Sequence, residues 1–298
     1  MYQSEKPKPN LSFLLFVYPF LWIIGNLPFF ILYRLGDLIF VLLFHVFKYR
    51  IDIVLSNLRN SFPEKAETEL KKIEKSYYKH LADLILETIK GISITEKQLR
   101  IRSKNIDQSV FDDFFEKKKN FIVVMSHCGN WEWVCLMSQP VCKQQIICTY
   151  KTLSNKGFNW LMYSVRSKFK AMPVHMNETL KAILKSSDVV NTTALIGDQN
   201  PSNINNVYWS TFLNQETAFF NGPAKIAKKL GYPLVYMSSR KVKRGHYETY
   251  TEIIVDDVSA YSEAEISEII VRKTENEILA QPEIWLWSHR RWKHKRTH

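Results

Sequence analysis

The chain has 298 residues, a formal net charge of +12, eight Trp and eighteen Phe. That length allows one sizeable core with a small extra lobe. The charge excludes a basic partner and leaves an anionic membrane surface, an acidic protein or nucleic acid. The aromatic content favours lipid, because amphipathic rings settle at the membrane-water interface, with nucleic acid as the weaker reading. No zinc-finger or RNP-like string speaks for nucleic acid, which is not an expected partner.

From Leu11 to Tyr33 no side chain is charged, and a continuous helix there would reach about 35 Å, enough to cross a hydrocarbon core. Gly25, Asn26 and Pro28 interrupt it, and the first part, Leu11 to Ile24, covers only about 21 Å as helix. Arg34 and Asp37 follow, each costing roughly 2.5 to 3.5 kcal/mol at a bilayer centre, so they belong at an interface or paired with each other. Leu38 to Phe47 then resumes the apolar pattern. Residues 1–50 are therefore expected to form a retained membrane segment, either a broken hairpin or one spanning helix followed by an interfacial one. No small-residue cleavage site marks a signal peptide.

Glu64 to Lys90 carries an i+3/i+4 apolar stripe closed by Gly91, the pattern of an amphipathic helix with Pro63 near its start. A polar helix-like stretch, Ile106 to Lys119, leads to Phe121–Met125, a short β-branched apolar run that reads as a buried strand. Further strands are expected at Gln145–Tyr150, Thr192–Gly197, Pro233–Ser238 and Tyr247–Val255. Helices are expected at Trp131–Val141, Asn155–Lys168, Asn177–Ser186, Pro223–Leu230 and Ser262–Leu279. The alternation indicates an α/β sheet flanked by helices. Ligand sites in such sheets lie beyond the strands' carboxyl ends.

His127 stands just past the Phe121 strand in Ser126-His127-Cys128-Gly129-Asn130-Trp131-Glu132. With Gly129 and Asn130 forming a turn and helix cap, Glu132 falls in the first helical turn and can reach back to orient the imidazole as a general base. The same spacing suits a His that caps the turn while Glu132 answers the helix N-terminus. A thiolate at Cys128 is a rival nucleophile, disfavoured because adjacent residues leaving a strand point oppositely. The four cysteines, at 128, 135, 142 and 148, match no CxxC metal pair or secreted disulfide framework and read as buried thiols. No metal or cofactor is expected.

Asp198 and Gln199 emerge at the end of another apolar strand, where Asp198 can face the same crevice or close an Asx turn. Gly222-Pro223 opens a helix whose free N–H groups suit a phosphate or carboxylate. Arg166 and Lys168 can hold a carrier phosphate or a developing oxyanion. The segment Trp285 to Arg296 interleaves Trp with five formal positive charges, Arg290 and Arg291 among them. That mixture suits an anionic headgroup surface.

Taken in order, Asn57-Leu58-Arg59 with Phe62-Pro63, Glu87, the His127-x4-Glu132 box, Asp198-Gln199, Gly222-Pro223 and Trp287-Ser288-His289-Arg290-Arg291-Trp292-Lys293 resemble the bacterial late acyltransferases of lipid A assembly, the lauroyl and myristoyl transferase family. The resemblance implies a glycerolipid acyltransferase-like mixed sheet over residues 51–298. It also implies an acyl carrier protein thioester as donor, a lipid A precursor as acceptor, and action at the cytoplasmic face of the inner membrane. His127 would be the base and Glu132 its partner, with Arg166 and Asp198 as further members of the site. Gly129-Asn130-Trp131 departs from the more apolar residues common in that family, which bears on the acceptor; another lysolipid or glycolipid is the alternative. The competing class is a non-catalytic, basic lipid-binding protein.

Overall fold

The computed structural model describes residues 2, 4–105, 108–201 and 203–296. A wide turn, Phe13–Val17, leads into α1 (Tyr18–Asn26), and α2 (Phe29–Val41) runs on through a second wide turn, Leu42–Val46. Pro28 lacks the N–H a continuous helix needs, so the chain breaks there as its sequence requires. Phe29–Val46 is 18 residues long and apolar enough to cross a membrane by length and composition, and only 11% of it is buried.

α3 (Ile51–Ser61) and α4 (Glu67–Lys90) follow, with Pro63 in the link between them rather than at a helix start. Both N-terminal helices pack on α4. Gly25 lies so near the Ile89 carbonyl that an added Cβ would sit 3.0 Å from it. Lys90 Nζ donates to the Gly25 and Leu27 carbonyls at 2.8 and 2.9 Å, answering oxygens freed where α1 ends. Asp37 does not pair with Arg34; it meets Arg244 at 2.8 Å, and Arg244 also grips the buried Asp83 of α4 at 2.7 Å. Arg244 sits in the turn between the last two strands of the sheet, and its second grip on the buried Asp83 fixes its position better than an i,i+3 neighbour on the same helix could.

α5 (Glu96–Arg102), β1 (Ser103–Asn105) and α6 (Ser109–Glu116) come next; Ile106 and Asp107, the head of the expected polar helix, lie outside the described residues. The remaining elements are β2 (Phe121–Met125), α7 (Trp131–Val141), β3 (Gln145–Tyr150), α8 (Lys156–Arg166), β4 (Met172–His175), α9 (Thr179–Lys185) and β5 (Asn191–Ile196). Then come β6 (Val207–Phe212), β7 (Gln215–Phe220), α10 (Gly222–Leu230), β8 (Leu234–Lys243), β9 (His246–Val255) and α11 (Glu263–Ala280).

Seven strands form one sheet in the order β1-β9-β8-β2-β5-β3-β4, and β6-β7 is a separate hairpin. Within the large sheet β8 and β9 are antiparallel and the other pairs parallel, so the expected mixed α/β sheet is present. On one face Val123, Met125, Ile146, Cys148 and Val235 pack with Phe111 and Val134 of α6 and α7. On the other Ile122, Val124 and Tyr236 pack with Ala224, Ala227 and Ile266 of α10 and α11. Ser93 Oγ also donates to the Gly25 carbonyl, so replacing Lys90 with Met leaves the Leu27 carbonyl unanswered and should destabilise the protein by about 1–3 kcal/mol, read as a lower denaturant midpoint in detergent.

Candidate active site

The register of the central strands assembles the site. Phe121 pairs with Thr192 and each later partner follows in step to Met125 and Ile196. Two residues beyond both strand ends, the same register brings His127 opposite Asp198, 71 positions on. Asp198 Oδ1 lies 2.6 Å from His127 Nδ1. Its Oδ2 accepts the His127 backbone N–H at 2.9 Å and the Trp285 indole N–H at 2.7 Å. The carboxylate is almost fully enclosed, at 1% side-chain exposure against 17% for the imidazole. Burial alone would raise its pKa, but the His127 charge and these hydrogen bonds outweigh it and hold the group down near 2. An ionised Asp198 fixes Nδ1 as the protonated nitrogen and leaves Nε2 for the cavity.

This corrects the expected pairing. Glu132 stands in the first turn of α7 and faces sideways to α8, not back over Gly129. Arg166 grips it with two parallel hydrogen bonds, Nε to Oε2 at 2.9 Å and Nη2 to Oε1 at 2.6 Å. Burial opposes ionisation of Glu132, yet the Arg166 guanidinium prevails and lowers its pKa. Asn130 caps α7 by accepting the Trp133 N–H at 2.9 Å, and Gly129 takes the left-handed φ of 62° with Ser239 close behind it. Trp131 meets the His127 ring edge to face, centroids 4.8 Å apart.

A cavity of about 600 Å³ opens beside His127. Trp131, Glu132, Arg166, Gln199 and Asn200 supply polar or amphipathic lining, while Val123, Met125, Phe111, Ile146 and Met237 make a hydrocarbon-like interior. Cys135 and Cys148 also line it, with sulfurs 2.8 Å apart. Cys128 is buried elsewhere, and burial with the Glu277 charge pushes its thiol well above the ordinary range. A thiolate nucleophile at that position is disfavoured.

Other expected positions lie differently. Lys168 Nζ donates to the carbonyls of Gly91, Ile92 and Ile94 beyond the end of α4 and does not line the cavity. Gly222 lies under the Phe220 ring, which would have to shift to admit a Cβ; its neighbour Pro223 lines the cavity, and Gly222 does not. The C-terminal segment is largely a structural wall, not a free basic tail. Trp285, Trp287 and Arg291 are buried, whereas Arg290 and Lys293 are exposed. Arg291 donates to the Ala218 carbonyl at 2.7 Å and lies over the Phe219 ring, which removes it from any headgroup. Asn57 secures the segment by donating to the carbonyls of Trp287 and His289 at 2.8 and 3.1 Å.

Two buried carboxyls support the loop that carries His127. Glu87 accepts from Asn130 at 2.7 Å, Tyr247 at 2.8 Å and Tyr33 at 2.9 Å. Glu277 of α11, which the sequence reading missed, accepts from Ser126 at 2.6 Å, Tyr236 at 2.7 Å and the Ser239 N–H at 2.8 Å. An acid placed among the buried α11 positions Val271, Thr274 and Ile278 was the available signal. Burial raises Glu277 to about 7 despite its three donors. The folded state therefore binds more protons than the unfolded chain between about pH 4.3 and that value, and this group's contribution to stability falls as pH rises. Glu277→Gln should remove the slope, so that the stability of the variant relative to the parent rises from about pH 5 to about pH 7 in urea titrations.

The family model described as bacterial lipid A biosynthesis acyltransferase matches residues 4–294. The chain is 23% identical over 281 residues to the lipid A biosynthesis palmitoleoyltransferase of Escherichia coli (strain K12), a match covering 92% of this chain and 88% of that protein. It is 23% identical over 274 residues to the lipid A biosynthesis lauroyltransferase of the same strain, covering 92% and 89%. A Shigella flexneri lipid A biosynthesis acyltransferase matches at 23% over 281 residues. With a match of this extent, the chain belongs to the bacterial lipid A biosynthesis acyltransferase family and is an acyltransferase.

Proposed function

We propose that the protein transfers a fatty acyl group from an acyl carrier protein thioester to a hydroxyl of a lipid A precursor at the cytoplasmic face of the inner membrane. Residues 1–50 would serve as the membrane segment and 51–298 as the catalytic domain. The observation that carries this reading is the His127–Asp198 pair standing over an apolar cavity of about 600 Å³. Few roles besides accepting a proton explain an imidazole held at Nδ1 by an enclosed, ionised carboxylate, with its other nitrogen left to a chain-sized apolar space.

In this mechanism Nε2 takes the proton of the acceptor hydroxyl as the oxygen attacks the thioester carbonyl. Asp198 remains ionised and stabilises the imidazolium. The tetrahedral oxyanion collapses, the carbon-sulfur bond breaks, and the departing carrier thiolate takes the proton back from His127. The Arg166 guanidinium, fixed by Glu132, contributes positive potential at the cavity wall while charge develops on the carbonyl oxygen. The side chain of Gln199 adds a polar group to the same wall. An exposed apolar surface on the first wide turn, α1 and α2, including Phe16, Phe20, Trp22 and Phe30, is consistent with delivery of a bilayer-held acceptor.

Purified protein given acyl carrier thioester and lipid A precursor should release carrier thiol. His127→Ala should lower kcat by roughly 10²–10⁴, and Asp198→Asn should fall in the same range because the wrong tautomer is then favoured; undiminished activity in the His127 variant would refute the assignment. The basic chain should also dock an acidic carrier electrostatically, so KM for the thioester should rise with ionic strength. A KM that does not respond to salt would remove that docking mode.

A further inference from the structure

His289 belongs to two cavities at once. One is the space beside His127; the other, about 450 Å³, is walled by Leu43, Leu81, Ile85 and Leu286, with Tyr49, Arg50, Ser288 and His289 completing it. The second groove therefore lies between the end of the long apolar helix, α4 and the C-terminal segment. Its shared histidine is held in place through its backbone, by the Asn57 amide and by the Leu286 carbonyl. The ring nitrogen Nδ1 of His289 is buried and has no hydrogen-bond partner among the described residues. Glu132, Arg166, Gln199 and Asn200 line the larger cavity, and none of them lines this groove.

The walls decide what kind of molecule fits. A peptide would need partners for its backbone, and the groove offers few polar groups. An alkyl chain needs none and gains from burial. Leu43 belongs to the same helix as Leu38, Val41 and Val46, which are 54%, 43% and 59% exposed. A chain leaving a bilayer would thus find exposed apolar side chains on the helix that walls the groove. Arg50, whose Nη1 donates to the Ser288 carbonyl at 2.9 Å, supplies a cation beside the groove for an anionic lipid.

We propose that this groove holds one hydrocarbon chain of the lipid acceptor, so that donor and acceptor chains reach His127 from opposite sides of His289. The inference rests on the acyl-transfer reading and adds to it a separate acceptor subsite. Ile85 is 39% exposed on α4, where a larger side chain narrows the groove without entering the core.

The test is steady-state kinetics of the full chain, with lipid A precursor in mixed micelles and acyl carrier protein thioester varied independently. Ile85→Trp should raise KM for the precursor by about tenfold. It should leave the thioester KM and the slow hydrolysis of thioester by water unchanged. Leu43→Trp, which fills the groove from the other helix, should give the same split, so a folding defect in one variant does not decide the result. An unchanged precursor KM in both variants, or a rise in the thioester KM instead, overturns the acceptor subsite while leaving acyl transfer intact. A wild-type protein that releases no carrier thiol removes both.

Discussion

The pairing of His127 with Asp198 depends on strand register. Because β2 and β5 are parallel and in step, the residues that follow them leave the sheet side by side, and an imidazole and a carboxylate meet without any special loop geometry. A one-residue slip would turn the Val123 and Met125 side chains to the opposite face and carry Asp198 away from His127. The packed hydrophobic layers on both faces thus do more than stabilise the sheet. They fix the alignment on which the proposed proton transfer relies.

Around that pair the protein has placed ionisable groups with opposite tendencies. Asp198 is held down near 2 by His127, its hydrogen bonds and Trp285, while Glu87 and Glu277 are raised to about 7 by burial. The difference is one of partners. Asp198 faces a cation-forming ring, and the two glutamates face neutral hydroxyls and amides that hydrogen-bond without supplying compensating charge. Glu132, on the wall of the large cavity, is kept ionised by a bidentate arginine. The loop carrying His127 is therefore braced from below by acids that need not be charged and flanked by acids that are.

Much of this was legible in the sequence, where apolar runs were short and flanked by turn residues. Phe121–Met125, Gln145–Tyr150 and Trp131–Val141 have the bounds expected of them. β4 escaped notice because Pro173 argues against a strand; it is tolerated there because β4 lies at the sheet edge, where a missing N–H costs no interior ladder bond. The β6–β7 hairpin was hidden by its turn, in which Leu213 and Asn214 adopt φ of 47° and 62° without the glycine that usually announces such a turn. At the site, His127, Arg166 and Gln199 line the cavity and Asp198 backs the imidazole, but local spacing favoured Glu132 as the histidine's partner. Distance along the chain cannot reveal a contact created by register between strands 71 residues apart. The C-terminal segment was misread for a related reason: its Trp and Arg side chains look amphipathic in isolation, and their burial depends on Asn57 and Phe219 far away.

The long apolar helix is not attached by a flexible leash. Tyr33 reaches Glu87, Glu87 reaches Asn130, and Arg244 ties Asp37 to Asp83. Any tilt or vertical displacement of that helix is consequently felt at the cap of α7, two residues before Glu132. The protein thus has a rigid mount with a built-in height: with that helix resting in a lipid leaflet, as proposed, its depth would also set how far above the headgroups the imidazole stands.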